Sequence, residues 1–255
     1  MGWNEKLISK AGREILIKTV AQAIPTYSMC LFKLPKAIYD KINSLLAIYW
    51  WGQTKDERKI HWINWQKLCT QKKRGGMGFR DISAFNLAML AKQAWRLIHQ
   101  DHSLFYRVYK ARHFPNCSFL MAELGSNPSY VWWSLLEARD VIWEGSSWRV
   151  GDGQQIGVVS HQWLPNTPIF LHEPMGDLKV RELIYWSTRQ WDRGKIAATF
   201  TLRTCAEILA TPLSQLDSQD SLIWIANKTH NFTVKSAYQI ALRLKTSERP
   251  EHSLA

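Results

Sequence analysis

The sequence lacks any apolar run that approaches the roughly 18 residues a membrane-spanning helix needs. Its first residues, Met1-Gly2-Trp3-Asn4, also lack the apolar stretch of a signal peptide. The four cysteines are widely scattered, which is typical of reduced thiols and not of a disulfide framework. These absences predict an intracellular protein, in the nucleus or the cytoplasm, with no signal peptide, no transmembrane segment and no membrane partner.

The sequence is equally poor in catalytic motifs. It contains no Asp-Asp dipeptide of the kind that holds metal ions in polymerases, and no Gly-x-Ser-x-Gly nucleophile elbow. His99, His102, His113 and Cys117 are chemically suited to zinc, but their spacing matches no standard zinc finger. The sequence therefore predicts no catalytic residue, no metal site and no cofactor.

Positive charge, by contrast, is abundant and is confined to the first half of the chain. The net charge is +12, and residues 1–120 contain 20 Lys and Arg against 7 Asp and Glu. Residues 121–255 contain 13 against 14, so their net charge is −1. A field of this kind attracts a polyanion, which favours nucleic acid as the partner.

The pattern of apolar residues predicts a mainly α fold with small β-hairpins (α+β), with a helical N-terminal half and a mixed C-terminal half. Gly151-Asp152-Gly153 is typical of the turn of a hairpin over residues 146–159. A strand, a turn, a second strand and a helix are expected over residues 220–244. Helices are predicted over 6–24, 35–52, 82–100, 103–112, 126–145, 178–200 and 203–213.

The stretch QKKRGGMGFRD, residues 71–81, places three cations directly before three glycines. It fails the Walker A spacing, and Gly76 stands where an RNA-recognition signature needs an aromatic residue. Two interpretations stay open at this point. The stretch is either a basic turn before a helix or a loop whose backbone contacts phosphate.

Several stretches resemble the region that follows the catalytic palm in plant LINE-type (non-LTR) retrotransposon reverse transcriptases. They include LISKAGREILIKTVAQAIPTYSMC, KIHWINWQKLCTQKKRGGMGFRD and WRVGDGQQI, and LIWIANKTHNFTVKSAYQIAL is similar to the opening of that family's zinc-binding region. The resemblance covers nearly the whole chain. Ser9-x-Ala-Gly-Arg13 and Gly75-Gly-x-Gly78 make it specific.

The resemblance implies a basic, thumb-like helical region over 1–120, a linker region with a helix and a β-hairpin over 121–215, and the start of a truncated zinc-binding-type domain over 216–255. It also implies that the Asp-Asp polymerase palm and any ribonuclease H domain lie outside this chain. We therefore expect a catalytically incompetent fragment, not an enzyme, with residual non-specific nucleic-acid binding. The alternatives are a retroelement relic with no activity and an accessory part of an RNA-directed DNA polymerase whose missing parts are supplied in trans.

In such a thumb, a basic helical surface grips the template–primer duplex through its phosphates and needs no base contacts. The expected ligand is DNA, RNA or a hybrid. Five tryptophans, Trp50, Trp51, Trp62, Trp65 and Trp95, could stack on bases, although packing in the core is favoured for all of them. The candidate nucleic-acid-binding residues are Lys10, Arg13, Lys18, Lys72, Lys73, Arg74, Arg80, Lys92 and Arg96.

Overall fold

The structure, a computed structural model, describes residues 8–53, 57, 59–172, 176–213 and 218–247. The chain divides into two compact units: unit 1 comprises Met1–Glu144 and Phe232–Ala255, and unit 2 comprises Gly145–Asn231. The predicted division of the chain into three regions, 1–120, 121–215 and 216–255, stays a prediction.

Unit 1 is helical, and the predicted mainly α fold is confirmed. Short 3-10 turns cover Lys72–Arg74 and Phe119–Met121, and a π-helix covers Ile17–Ala21. The α-helices are α1 (Lys10–Leu16), α2 (Thr26–Met29), α3 (Lys36–Trp51), α4 (Trp65–Leu68), α5 (Ile82–His99), α6 (Leu104–His113), α7 (Tyr130–Leu136), α8 (Arg139–Gly145) and α11 (Val234–Ser247).

Helix α5 is the centre of unit 1. It starts where the sequence predicts, because the Asp81 carboxylate accepts the backbone N–H of Ala84 at 3.0 Å. Its apolar residues point to most sides, and α2, α3, α6, α7 and α11 all pack against it. The predicted end of α3 at Gly52 is also confirmed, since Gly52 has a left-handed φ of 69°.

A fully buried amide holds two segments of unit 1 together. Asn86, on α5, accepts hydrogen bonds from the backbone N–H of Leu34 at 2.8 Å and from the hydroxyl of Tyr39 at 2.6 Å. Its amide group donates to the carbonyls of Met29 and Phe32. A single side chain therefore satisfies three backbone groups at and after the end of α2.

The N-terminal helix differs from the single regular helix predicted over residues 6–24. Within the described residues it is α-helical over Lys10–Leu16 and then widens into the π-helix Ile17–Ala21. The widened turn buries Ile17 and is followed by the buried Gln22. Such π-turns are rare in proteins, and those that do occur are often located at functional sites.

The described residues of unit 2 form four short strands and two α-helices. They are β1 (Ser146–Arg149), β2 (Ile184–Tyr185), β3 (Gln190–Trp191), β4 (Ser221–Trp224), α9 (Arg193–Thr199) and α10 (Leu202–Ala210). The pairs β1–β4 and β2–β3 are both antiparallel. Its apolar core includes Ile156, Val180, Ile196 and Phe200.

The hairpin predicted over residues 146–159 is wrong, because β1 pairs with β4. The reason is the buried Asp220, which lies just before β4. Its carboxylate accepts the backbone N–H groups of Gly151, Gly153 and Gln155 at 2.8–2.9 Å. The glycine turn is thus wrapped around a carboxylate about 65 residues further along the chain.

The helix predicted over residues 178–200 is also wrong over its first half. That stretch forms a 3-10 turn, Val180–Leu183, then the β2–β3 pair, and only then α9. Helix α10 confirms the helix predicted over 203–213. No helix in the described part of the chain is both long and apolar enough to cross a bilayer.

Candidate nucleic-acid interface

The N-terminal helix, residues 10–22, lies along the stretch 71–81, which we call the glycine segment, and contacts it at three points. Glu14 forms an ion pair with Lys72 at 2.8 Å. Lys18 donates to the carbonyl of Met77 at 2.8 Å. Gln22 both donates to the carbonyl of Arg80 and accepts its N–H, each at 3.2 Å. Two cationic stretches that are about 60 residues apart in sequence therefore meet on one side of unit 1.

We call the cations at this junction the N-terminal basic surface: Lys10, Arg13, Lys18, Lys72, Lys73 and Arg74. The ammonium of Lys10 donates to the carbonyl of Trp50 at 3.2 Å and lies 4.8 Å from the ring centre of Trp51. The guanidinium of Arg13 packs on Gly52, where a Cβ would come within 2.1 Å of it. Partial burial, and then the charge of Arg13, lower the pKa of Lys10.

Glu14 is the acid within this surface. Its carboxylate lies 2.7 Å from the ammonium of Lys18 and 2.8 Å from that of Lys72. Hydrogen bonds from Lys18 and then Lys72 lower its pKa. One carboxylate is therefore shared by two cations, so the local charge stays positive.

Lys73 and Arg74 are exposed at the tip of the 3-10 turn, and within the described residues neither has an acidic partner. The N–H groups of Gly75, Gly76 and Gly78 already donate to carbonyls of residues 70–72. Gly76 is required by close packing, since a Cβ there would lie 2.2 Å from the carbonyl oxygen of Thr70. Any phosphate here would be contacted by side chains, because these backbone N–H groups are engaged.

The other three predicted cations lie elsewhere on unit 1. The guanidinium of Arg80 packs over the ring of Phe85 at 4.7 Å, at the start of α5. Lys92 and Arg96 are exposed on α5, ten and fourteen residues after its first residue, which places them about 15 and 21 Å along its axis. Glu14 joins Lys18 and Lys72 directly. Lys10, Arg13, Lys73 and Arg74 lie on the same two segments, and Lys92 and Arg96 form a separate pair on α5.

The five tryptophans divide into three groups by burial. Trp50 and Trp65 are buried against Phe79, as the sequence favours. Trp51 and Trp95 are half-buried, and each is stacked on a histidine, Trp51 on His61 and Trp95 on His99. Trp62 differs, because 77% of its surface is exposed.

Two of the three histidines considered as zinc ligands, His99 and His113, are engaged in ring stacking, whereas the side chain of His102 is exposed. His99 stacks on Trp95 with ring centres 4.1 Å apart, and His113 stacks on Trp132 at 4.5 Å. Burial, and then the charge of Arg112, lower the pKa of His113. Within the described residues, no group of three or more His, Cys, Asp or Glu side chains is arranged to hold a metal ion.

The division into units sharpens the charge asymmetry. Unit 1 contains 25 Lys and Arg against 13 Asp and Glu, a net charge of +12. Unit 2 contains 8 against 8, a net charge of zero. Unit 1 is therefore a strongly basic helical module, and six of its 25 Lys and Arg residues form the N-terminal basic surface.

Comparison with known proteins identifies plant relatives. The chain is 40% identical over 149 residues to the "Uncharacterized mitochondrial protein AtMg00310" of Arabidopsis thaliana, an alignment that covers 58% of this chain and 97% of that protein. The chain therefore belongs to the same family as this Arabidopsis protein. Neither a family model nor a solved structure matches the chain.

A second relative aligns with the whole chain. It is the "Putative ribonuclease H protein At1g65750" of Arabidopsis thaliana, 32% identical over 265 aligned residues. The chain spans 42% of the length of that relative. Both relatives are consistent with a retroelement-derived plant protein, and neither name specifies a reverse-transcriptase thumb.

The second relative corrects one expectation from the sequence. The absence of a polymerase box and of any ribonuclease H domain predicted that the chain is not an enzyme. That prediction is contradicted, because a relative that matches the chain from end to end is named as a ribonuclease H protein. The prediction rested on the absence of short catalytic motifs and on the resemblance, which implied that the catalytic domains lie outside this chain.

Proposed function

We propose that this chain is the nucleic-acid-holding region of a retroelement-derived protein, and that it corresponds to the part of a plant LINE-type reverse transcriptase that follows the palm. In this proposal, unit 1 binds DNA, RNA or a hybrid without sequence preference. The contacts run from the N-terminal basic surface to the phosphates.

The observation that carries the proposal is the convergence of cations from two distant stretches in a unit with a net charge of +12. The side chains of Lys73 and Arg74 reach solvent, and 64% of the Lys72 side chain is exposed. Long exposed cations of this kind contact phosphate oxygens without reading bases. The engaged N–H groups of the glycine segment agree with side-chain contacts.

The first test is the dependence of affinity on salt. Binding of the full chain to duplex DNA, duplex RNA and hybrids of unrelated sequences is measured by fluorescence anisotropy over a range of salt concentrations. We expect log K to fall linearly with log salt, by about 0.9 for each duplex phosphate contacted. An affinity that does not change with salt, or that differs strongly between sequences, would refute phosphate gripping.

The second test reverses three charges at once, Lys72→Glu, Lys73→Glu and Arg74→Glu. We expect weaker binding to every sequence alike and a salt slope smaller by about 2–3. The matched control reverses three exposed cations of unit 2, Arg193, Arg203 and Lys228, which changes the net charge by the same amount. An equal loss in both variants would mean that net charge, and not the N-terminal basic surface, governs binding.

A second candidate function comes from the relative named as a ribonuclease H protein, which aligns with the whole of this chain. In this candidate, the chain takes part in cleaving the RNA strand of a hybrid. The test incubates the purified chain and a longer homologous protein with a labelled RNA–DNA hybrid and divalent metal ions. Cleavage by the chain alone would assign the activity here, whereas cleavage only by the longer protein would assign it to the remaining part.

An intracellular location, in the nucleus or the cytoplasm, is part of the main proposal. Fractionation of plant cells with an antibody against the chain tests it. Recovery of the chain with the nuclear or cytosolic fraction is expected, and recovery only with another organelle would contradict it.

A further inference from the structure

One exposed aromatic residue of unit 1 is unexplained by packing. Trp62 has 77% of its surface exposed, whereas Trp50 and Trp65 have 8% each. An isolated exposed tryptophan is not in itself a binding site. The residues next to Trp62 are the reason to assign it a binding role.

Trp62 lies beside the N-terminal basic surface. The residue before it, His61, stacks on Trp51 with ring centres 5.8 Å apart, and the ammonium of Lys10 lies 4.8 Å from the centre of the same Trp51 ring. Consecutive Cα atoms are about 3.8 Å apart, so Trp62 follows directly on this cation–aromatic stack.

The segment after Trp62 leads to the other cations of the same surface. Helix α4 begins at Trp65, three residues further on, with Asn64 as its cap. The glycine segment folds back on the end of α4, since Met77 donates to the carbonyl of Leu68 and Gly78 to that of Thr70. Trp62 therefore lies in the segment that connects the Lys10–Trp51–His61 stack to α4, the helix whose end the glycine segment contacts.

We propose that Trp62 is a stacking platform for an unpaired base, and that the N-terminal basic surface prefers single-stranded nucleic acid, or a single strand next to a duplex. This inference rests on the proposed function, because the cations hold the backbone whose base is stacked. An exposed indole next to backbone-binding cations is the combination by which proteins bind single strands without sequence preference. A base inside a duplex cannot offer its face to the indole.

The test compares three ligands that carry the same number of phosphates: a single strand, a duplex and a single strand without bases. Trp62→Ala is expected to weaken binding of the single strand by about 5- to 140-fold, the range measured for one stacked base. Binding of the duplex and of the abasic strand should stay unchanged. Trp62→Phe, which keeps an aromatic face, should retain most of the affinity, for DNA and RNA strands alike.

Two further variants separate this inference from the proposed function. Tyr27→Ala removes another aromatic residue of unit 1, 81% exposed, and should leave all three affinities unchanged. The triple charge reversal at residues 72–74 should weaken the binding of all three ligands. If it weakens the binding of none of them, the proposed function fails.

The stacking inference fails by itself if the charge reversal acts as expected while Trp62→Ala leaves the single strand unaffected or weakens all three ligands equally. A Trp62→Ala protein that changes only in self-association, measured by sedimentation, would also overturn it, because Trp62 would then be a contact between copies of the chain. Thermal melting of each variant identifies any loss of folded protein, and an exposed substitution should change stability by little.

Discussion

Replacing Glu14 by Gln should strengthen nucleic-acid binding, because Glu14 is the acid within the N-terminal basic surface. Its carboxylate holds Lys18 at 2.7 Å and Lys72 at 2.8 Å. A phosphate oxygen that contacted either ammonium would lie about 5 Å from this carboxylate, by ordinary hydrogen-bond lengths. In the proposed complex, the wild-type carboxylate would therefore repel the phosphate and compete for the two ammonium groups.

The size of the effect follows from Coulomb's law. Two unit charges about 5 Å apart repel by about 0.8 kcal/mol in water and by about 3 kcal/mol at an effective dielectric constant of 20. Since 64% of the Lys72 side chain is exposed, the lower value applies. We expect a gain of about 1 kcal/mol, which is about fivefold in Kd at low salt and less at high salt. The lost ion pairs are partly exposed and should lower the free energy of unfolding by at most about 2 kcal/mol.

The assay is anisotropy with a labelled duplex, and Glu123→Gln is the control because it makes the same change of charge at an exposed site of unit 1 outside the N-terminal basic surface. The pH dependence gives a further check. The pKa of Glu14 is lowered in the folded protein, so its stabilising ion pairs are present above the unfolded pKa of about 4.3 and are lost as the pH falls through the folded value. The affinity difference between Glu14→Gln and wild type should thus be constant from about pH 5 to pH 8. Weaker binding by Glu14→Gln, or an equal gain in Glu123→Gln, would refute the reasoning.

Three further predictions concern stability and reactivity. Asn86→Leu should lower the free energy of unfolding, measured in urea, by about 4 kcal/mol, because it removes four hydrogen bonds and leaves buried backbone groups without partners. The control Asn116→Leu, at an exposed site, should change this free energy by less than about 0.5 kcal/mol, and similar values for the two variants would contradict the role of the buried amide. Asp220→Asn should destabilise unit 2 by about 2–3 kcal/mol, since an amide cannot accept all three N–H groups. Asp152→Asn, whose amide oxygen can still accept the N–H of Gln154, should cost less than about 1 kcal/mol. Hydrogen exchange at residues 151–155 reports on the difference, and unchanged exchange in Asp220→Asn would contradict the role of its carboxylate. Burial raises the pKa of Cys69 to about 12, so at pH 8 its thiolate fraction should be on the order of a thousandfold below that of an ordinary thiol. Mass spectrometry after brief alkylation should find Cys69 unmodified in the native chain and modified in urea. Equal modification under both conditions would show that the thiol is accessible in the folded protein.

Local signals predicted the long helices of unit 1 well. Asp81 caps α5 and Gly52 ends α3, as their positions beside apolar periodic stretches indicate. Both signals act within one helical turn, so no distant residue is needed to make them work.

Local signals failed where a distant residue decides the backbone. The turn at Gly151-Asp152-Gly153 has the composition of a hairpin, but its N–H groups bind the Asp220 carboxylate. Gln22, which joins the N-terminal helix to the backbone of Arg80, was missed as an organiser of the candidate site. The available signal was a polar residue within an apolar helical stretch, which alone does not name its partner.

The amino-acid sequence by itself determined the class of fold, the excess of positive charge and its place in the first half of the chain, because composition and helical periodicity are properties of neighbouring residues. Only the tertiary structure decided which cations share a surface, that Glu14 lies within that surface, and that Trp62 alone of the five tryptophans singled out from the sequence is largely exposed. Distance, burial and hydrogen-bond partners depend on residues that are tens of positions apart, and the packing of the helices around α5 is what brings those residues together.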